Sequence, residues 1–331
     1  MLEIDGSYGE GGGQLVRTAI ALSAITGTGI RIKNIRKNRN NPGLKQQHLK
    51  ALDTAALICE ARISGLFPGS TEISFVPMEI KGGEYEIDIG TAGSIALLLQ
   101  CLMPALPFAK EKVELTIRGG TDVAWAPTID YLQQVTLKAL EKLSFTGRIV
   151  LHERGYYPKG GGKVSAFFEP CRLHGFHYLK EEEDVRGISH ASNLPAHIPL
   201  RQAEAARTRL LEVGYPSQIE TKSFEYFSTG SGITLWSGYF GGSALGKRGL
   251  HAEKVGKYAA EEIIPEIRSE TSVDIHLADQ LIPYMALARD SSYTVRELSL
   301  HAITNIWVVE QFLDVKFKIE EKEGFFKVSV D

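Results

Sequence analysis

Apolar and polar positions along the chain repeat one arrangement: a short strand, a loop rich in glycine or polar residues, and an apolar helix. The first copy is predicted at strand Leu2–Ile4, loop Asp5–Gly13 and helix Gln14–Ile25. The second copy is predicted at Tyr85–Ile89, Gly90–Gly93 and Ser94–Met103, and the third at Asp274–His276, Leu277–Gln280 and Leu281–Ala288. Three copies of one arrangement predict a fold built from repeats.

Each copy continues with a second helix and a closing pair of strands. The helices are predicted at Gln47–Glu60, Pro127–Leu143 and His301–Phe312, and the strand pairs at Ala61–Phe75, Ser144–Phe168 and Val315–Val330. The pattern predicts an α+β fold, an α/β sandwich, whose sheets carry helices on one face. Three βαβαββ-like units would form a large domain from residues 1–175 and 270–331.

The segment 176–269 has a different pattern and predicts a small inserted βαββα domain. Its elements are predicted at strand Val185–His190, helix Leu200–Val213, strands Gln218–Glu225 and Ile233–Phe240, and helix Ala252–Ile263. The run Gly230–Gly232 is typical of a hairpin turn between the last two strands.

Composition narrows the classes of function. A net charge of −3 over 331 residues excludes a general electrostatic binder of nucleic acid, so any such contact must use a local basic site. The three cysteines are far apart and form neither a disulfide framework nor a CxxC metal motif, which predicts a reducing compartment. With no signal peptide and no apolar run of membrane length, we expect a cytoplasmic protein without a membrane partner.

Two polar segments could bind an anion. In the loop Asp5–Gln14, Glu10 could hold a divalent metal, and Arg17 in the next helix could contact an oxyanion; the alternative is a plain strand–turn–helix junction.

A basic segment follows, with seven cations and no acid between positions 31 and 50. Within it Arg36 and Arg39 suit phosphate, and Gln47 and His48 could donate to the same anion; the alternative is a solvated face. The basic residues are Arg31, Lys33, Arg36, Lys37, Arg39, Lys45 and Lys50.

Two further features each have two interpretations. His301 begins an apolar helix, where a histidine is either a cap or packing residue or a nucleophile able to attack phosphorus. The loop Arg154–Gly162, with three successive glycines between predicted strands, is either an elaborate hairpin turn or a site where an anion approaches Arg154 and Lys159. Gln100, Asp279 and Gln280 offer hydrogen bonds to a nucleobase or ribose.

Taken together, these motifs resemble the RNA 3′-terminal phosphate cyclase family. The resemblance covers the whole chain, and the Arg-Gly-x-x-Pro-x-Gly-Gly-Gly element is its most specific part. The stretches that carry it are Asp5–Arg17, Arg36–His48, Gly119–Val123, Pro127–Tyr131, Arg154–Gly162, His276–Gln280 and His301–Phe312. The implied fold is three related α/β units, similar to the C-terminal domain of a translation initiation factor and to enolpyruvyl transferases, plus an inserted small domain.

The resemblance also implies an activity. Enzymes of that family use ATP and a divalent metal, Mg²⁺ or Mn²⁺, to convert an RNA 3′-phosphate end into a 2′,3′-cyclic phosphate. A histidine is first adenylylated, AMP then passes to the terminal phosphate to give RNA-(3′)pp(5′)A, and the vicinal 2′-hydroxyl displaces AMP. The reaction is of the ligase type, turning ATP into AMP and diphosphate, and the implied partners are ATP and RNA 3′-phosphate ends. The oligomeric state stays open.

Residue by residue, the resemblance implies His301 as the adenylylated nucleophile and Glu10 as the metal ligand. It implies Arg36, Arg39, Gln47 and His48 as residues that hold phosphates of ATP or of the RNA end. The implied ATP-binding positions are Arg17, Gln100, His276, Leu277, Ala278, Asp279 and Gln280.

Two other functions are compatible with this fold. One is a cyclase-like ribosomal-RNA processing factor without catalysis, but those relatives lack the nucleophilic histidine, whereas His301, Glu10 and Arg17 are present here. The other is an enolpyruvyl transferase, which would bind a small anionic substrate and would give His301 no role.

Overall fold

The first unit folds as the hydrophobic pattern predicts. The computed structural model of the chain describes residues 1–181 and 183–331. The first unit consists of β1 (Leu2–Asp5), α1 (Gly13–Thr26), β2 (Ile30–Lys33), α2 (Gln46–Ile58), β3 (Arg62–Ser64) and β4 (Ile73–Val76). Its strands lie in the order β1-β2-β4-β3, with β1 parallel to β2 and the other neighbours antiparallel. Helix α1 packs against α2 and is buried along most of its length, so its sequence is apolar almost all round.

The second unit repeats this topology. It consists of β5 (Gly83–Asp88), α3 (Ile95–Leu102), β6 (Val113–Gly119), α4 (Ile129–Tyr131), α5 (Leu137–Lys142), β7 (Gly147–Glu153) and β8 (Gly162–Phe168). A π-helical segment, Leu132–Thr136, joins α4 to α5, so the predicted helix Pro127–Leu143 is continuous but irregular. The strand order β5-β6-β8-β7, with β5 parallel to β6, matches the first sheet position by position.

The inserted segment contains one strand more than predicted. Its elements are β9 (Val185–Ser192), α6 (His197–Leu211), β10 (Ser217–Phe224), β11 (Gly230–Ser237), β12 (Phe240–Leu245) and α7 (Ala252–Arg268). The predicted turn Gly230–Gly232 is wrong, because these residues pair with β9 as the start of β11. Strand β10 pairs in parallel with β9, and β9 lies between β10 and β11, so the connection from β10 to β11 crosses β9 instead of forming a tight hairpin turn.

The third unit differs from the prediction at its start. The predicted strand Asp274–His276 is wrong: Asp274 caps α8 (Ile275–Ala288), and its carboxylate accepts the backbone N–H groups of His276 and Leu277 at 2.8 and 2.7 Å. The remaining elements are β13 (Ser291–Val295), α9 (Leu300–Phe312), β14 (Phe317–Lys322) and β15 (Phe325–Val330). The sheet order is β13-β15-β14.

The missing first strand of the third unit lies at the start of the segment 176–269, before the first strand of the insert, β9. His177 forms a parallel bridge with Ser292 of β13, and Tyr178 donates its backbone N–H to the Ser292 carbonyl at 2.8 Å. This short segment therefore occupies the place that β1 and β5 hold beside β2 and β6. The insert interrupts the third unit between its first strand and its first helix, which completes the threefold α+β architecture.

Two hydrophobic cores accompany this arrangement. One cluster extends through the three repeated units, and a separate one is formed by residues of β9 to β12, α6 and α7, including Val185, Leu210, Ile233 and Ile263. Separate cores are typical of separate domains, and the limits 176 and 269 stay a prediction. Within the part of the chain that the structure describes, no helix has both the length and the apolar character needed to cross a membrane.

The glycine loop between β7 and β8 packs tightly against the second unit's first loop. Gly160 has a φ of +68°, and a Cβ there would lie 2.8 Å from the carbonyl oxygen of Thr91 and 2.9 Å from the Cα of Ala92. At Gly249 φ is +82°, but no atom of the residues that the structure describes lies within 4 Å of the added Cβ.

This contrast predicts different stabilities for two alanine variants. Gly249→Ala should lower the free energy of unfolding by about 1–2 kcal/mol, the cost of a left-handed alanine. Gly160→Ala should lower it further, because the Thr91–Ala92 backbone must also move. Urea unfolding of both variants measures the difference, and equal losses would contradict the close packing of the two loops.

Candidate active site

The loop after β1 brings Glu10 against the first turns of α9. The backbone N–H of Glu10 donates to Oγ1 of Thr304 over 3.1 Å. Gly9, with a φ of +58°, runs beside the same threonine so closely that a Cβ would overlap its side chain. The glycine therefore lets this loop approach α9 closely enough for a carboxylate to reach the start of the helix.

His301 faces this carboxylate from the first turn of α9. The cap position is filled by Ser299, whose hydroxyl accepts the backbone N–H of Ala302 at 3.0 Å, so the capping role considered for His301 belongs to Ser299. Nδ1 of His301 lies 3.7 Å from Oε2 of Glu10. Among the residues that the structure describes, this nitrogen has no hydrogen-bond partner. The side chain is 45% exposed, so a ligand can reach the ring.

Two arginines lie near His301 in addition to Glu10. Partial burial, followed by the charges of Arg17 and Arg39, lowers the pKa of this histidine. The ring is therefore neutral at neutral pH and keeps the lone pair that a nucleophile needs. Arg39 also forms an ion pair with Glu10, which links the basic segment to the loop after β1.

Arg36 shapes the basic segment itself. Its backbone has a φ of +54°, and its Nη1 donates to the carbonyl oxygens of Asn41 and Gly43 at 2.8 and 2.9 Å. These bonds close the loop between β2 and α2. Arg36 therefore has a structural role in addition to any contact with phosphate.

His48 is buried at the start of α2. Its Nδ1 accepts the backbone N–H of Lys45 at 3.1 Å, and its Nε2 contacts Gly13 at the start of α1. Burial, followed by the charges of Arg17, Arg36 and Lys45, lowers the pKa of His48 to about 3. Since Nδ1 accepts a hydrogen bond, the neutral ring carries its proton on Nε2, the side that faces the loop with Glu10.

A pocket between α1, α3, α8 and α9 brings four of the predicted ATP-binding residues together. Its lining includes Arg17, Gln100, Asp279 and Gln280, together with Gln14, Thr18 and Asn305, which the sequence analysis missed. Gln14 donates to Oδ1 of Asp279 at 3.1 Å. Asn305 accepts from Thr18 at 2.8 Å and donates to the Asp279 carbonyl at 2.8 Å, so it ties α1 to α8. The signal for Thr18 and Asn305 is a polar side chain at a buried position of an apolar helix.

The other three predicted ATP-binding residues do not line this pocket. Leu277 and Ala278 are buried in the hydrophobic core. His276 is half-exposed and faces Glu262 of the insert, with Nε2 3.4 Å from its carboxylate. Hydrogen bonding to this carboxylate raises the pKa of His276 to about 9. All three residues follow the Asp274 cap, so they lie within the first turn of α8. Successive side chains of a helix point in different directions, so these three do not share one face with the pocket.

Asp279 predicts a pH effect on stability. Burial raises the pKa of its carboxyl from 3.8 to about 7. The folded chain therefore binds this proton more tightly than the unfolded chain, and the stability it contributes falls as the pH rises from about 4 to about 7. Asp279→Asn cannot ionise but can still accept from Gln14, so its melting temperature should fall less than that of the wild type between pH 5 and pH 8. The exposed Asp314→Asn is the control, and identical pH profiles for all three proteins would contradict the raised pKa of Asp279.

A second ionisable cluster lies beneath the glycine loop. Asp122, Asp130 and His190 are buried with their ligand atoms within 4.8 Å of one another, the spacing of a metal site. However, the guanidinium of Arg154 donates to Asp130 at 2.6 and 2.9 Å and to Asp122 at 3.2 and 3.3 Å. Arg154 thus supplies the positive charge that a metal would otherwise bring. It is 2% exposed, so the phosphate contact considered for Arg154 is wrong, and its role is structural.

Comparisons with known proteins agree on one family. A family model described as RNA 3′-terminal phosphate cyclase matches residues 8–319. Proteins with this name from Methanosarcina barkeri and Methanococcoides burtonii are 80% and 56% identical, over the full length of both chains. One from Archaeoglobus fulgidus is 50% identical over 99% of this chain and 100% of its own length.

Proposed function

Because the chain belongs to the RNA 3′-terminal phosphate cyclase family and is an enzyme of this ligase type, we propose that it cyclises RNA 3′-phosphate ends through a covalent AMP adduct on His301. The observation that carries this proposal is the setting of that ring. It is reachable, its pKa is lowered, and its Nδ1 lies beside Glu10 without a hydrogen-bond partner among residues 1–181 and 183–331. The family model and the similar proteins support cyclase activity in general. The covalent AMP adduct on His301 is the proposal.

The first step is attack of neutral His301 on the α-phosphorus of ATP. A nitrogen–phosphorus bond forms, the bond to the bridging oxygen breaks, and diphosphate leaves. The pocket with Arg17, Gln100, Asp279 and Gln280 offers hydrogen bonds to adenine and ribose. The nearby cations Arg17 and Arg39 would balance the charge of the phosphates, since both lie close enough to lower the His301 pKa.

Glu10 suits a divalent metal. Mg²⁺ is commonly held by one or two carboxylates together with substrate phosphates, and Glu10 is a single carboxylate that Arg39 and His301 flank. A bound metal would neutralise phosphate charge and orient the leaving diphosphate. Glu10 would then exchange its partner Arg39 for the metal, which frees this guanidinium for phosphate. A divalent metal, Mg²⁺ or Mn²⁺, stays a prediction, as does a cytoplasmic location.

The second and third steps act on the RNA end. A terminal phosphate oxygen attacks the phosphorus of the adduct, the bond to His301 breaks, and RNA-(3′)pp(5′)A forms. The vicinal 2′-hydroxyl then attacks the 3′-phosphorus, its proton is lost, and AMP leaves. Arg36, Arg39, Gln47 and His48 would hold these phosphates, and the Nε2–H of a neutral His48 is a donor that stays uncharged at neutral pH. His301, Glu10 and Arg17 lie together, which favours catalysis over a purely structural role in ribosomal-RNA processing.

Conversion of a defined RNA tests the activity. With ATP and Mg²⁺, an oligonucleotide that ends in a 3′-phosphate should become resistant to phosphatase, because a cyclic phosphodiester replaces the monoester. The same RNA with a 2′-O-methyl group on its terminal ribose should stop at the adenylylated intermediate, since it has no nucleophile for the last step. Resistance in the absence of ATP, or cyclisation of the methylated RNA, would contradict the proposal.

A further inference from the structure

Exposed aromatic side chains gather at the glycine loop between β7 and β8. Tyr157 is 77% exposed, Phe227 in the β10–β11 loop is 65% exposed, and Trp125 in the loop before α4 is 98% exposed. Nζ of Lys159 lies 5.5 Å from the centroid of the Phe227 ring, which is cation–π distance. Large aromatic groups at the surface of neighbouring loops indicate a binding surface. We name Trp125, Tyr157, Phe227 and Lys159 the aromatic platform.

Contacts between the three loops support this grouping. A Cβ on Gly161 would lie 2.5 Å from Cδ1 of Phe227, so the insert loop packs directly against the glycine loop. The backbone of Asp122, three residues before Trp125, forms a parallel bridge with Tyr156, the neighbour of Tyr157. The three aromatic residues therefore lie on loops that are joined to one another.

The base of the platform is rigid. Tyr156 is buried, its hydroxyl bonds Nδ1 of His190 at 2.7 Å, and its backbone N–H donates to Oγ of Ser228 at 2.8 Å. Beneath it lies the ionic network of Arg154. A rigid base holds exposed rings in place before a ligand arrives, which lowers the entropic cost of binding.

A continuous series of loops connects the platform to His301. Gly160 packs on the carbonyl of Thr91, and a Cβ on Gly93 would lie 3.5 Å from Cβ of Gln47. The next residue, His48, contacts Gly13, three residues from Glu10, which faces His301. Successive loop contacts thus lead from the platform to the proposed site of the 3′-phosphate.

We propose that the aromatic platform binds the single-stranded RNA that precedes the 3′-phosphate, with bases stacked on the rings and a backbone phosphate near Lys159. This inference rests on the proposed function, because it takes the chain end to lie at His301. Stacking suits any base, so the platform would hold RNA ends with little sequence preference. A protein with a net charge of −3 has little general attraction for RNA, which makes such local contacts necessary.

Substrate length tests the platform. The variant Tyr157→Ala/Phe227→Ala is compared with wild type and with Tyr258→Ala, an alteration of a half-exposed tyrosine on α7. With a ten-nucleotide RNA 3′-phosphate, the double variant should show a KM raised by about tenfold or more, with kcat unchanged. With a dinucleotide 3′-phosphate, its KM should equal that of the wild type. An unchanged KM for the long RNA, or an equal rise for both substrates, would overturn the platform.

Direct binding separates this inference from the proposed reaction. If wild type did not cyclise RNA, the proposed function would fail, but fluorescence anisotropy of the same labelled ten-nucleotide RNA still decides the platform. A Kd about tenfold higher for the double variant than for both wild type and Tyr258→Ala supports it. Equal Kd values for the three proteins overturn it.

Discussion

His301→Ala abolishes transfer of AMP to the protein and slows cyclisation of RNA by on the order of a thousandfold or more. The substitution removes the only atom proposed to bond the α-phosphorus, and alanine offers no substitute. Because the ring is 45% exposed and Ser299 is the cap of α9, the fold should be retained. The measurement is protein-bound radioactivity after incubation with ATP labelled at the α-phosphate and Mg²⁺, followed by denaturation.

His174→Ala is the matched control, since it removes an exposed histidine from the segment between β8 and the insert. It should take up label like the wild type. The expected adduct is a phosphoramidate, which is labile to acid and stable to alkali. A folded His301→Ala protein that still takes up label would refute His301 as the nucleophile.

Arg154→Met lowers the free energy of unfolding by about 3–5 kcal/mol. Burial alone would raise the pKa of Asp122. However, the charges of Arg154 and His190 hold this pKa well below its ordinary value. Removal of the guanidinium leaves the Asp122 and Asp130 carboxylates buried without their main counter-charge. Denaturant unfolding at neutral pH measures the loss.

Two further variants make this stability prediction specific. Arg118→Met removes an exposed arginine from β6 and should change stability by less than about 0.5 kcal/mol. Arg154→Met combined with Asp122→Asn and Asp130→Asn should recover part of the loss, because the unbalanced charges are gone. If Arg154→Met were as stable as Arg118→Met, the ionic network would have no structural role.

Local patterns predicted most of the fold, and errors arose where pairing is distant in sequence. Helix α1, predicted at Gln14–Ile25 and found at Gly13–Thr26, has an apolar run that determines its structure locally. The first strand of the third unit could not be found this way, because His177 and its partner Ser292 are separated by the whole insert. The sequence pattern predicts a strand at Asp274, although an aspartate before an apolar run is also typical of a helix cap, which is its role here.

The candidate site likewise combines residues that the sequence identifies with contacts that only the fold provides. Glu10 and His301 were both singled out from sequence, but their 3.7 Å approach depends on Thr304 and on the conformation of Gly9. Composition does not distinguish a cation that faces a ligand from one that neutralises buried acids, so the sequence alone leaves a phosphate contact open for Arg154. The carboxylates that pair with it lie 24 and 32 residues away in sequence, and only the fold brings them together.

The central claim is that AMP bonds to His301, and peptide mapping by mass spectrometry tests it most directly. The wild-type protein would be incubated with ATP and Mg²⁺ without RNA, digested under alkaline conditions, and its peptides sequenced by fragmentation. We predict one AMP group, located on the His301 ring, that disappears when RNA with a 3′-phosphate is added. AMP on another residue, or rapid cyclisation of RNA by a protein that never carries AMP, would contradict the account.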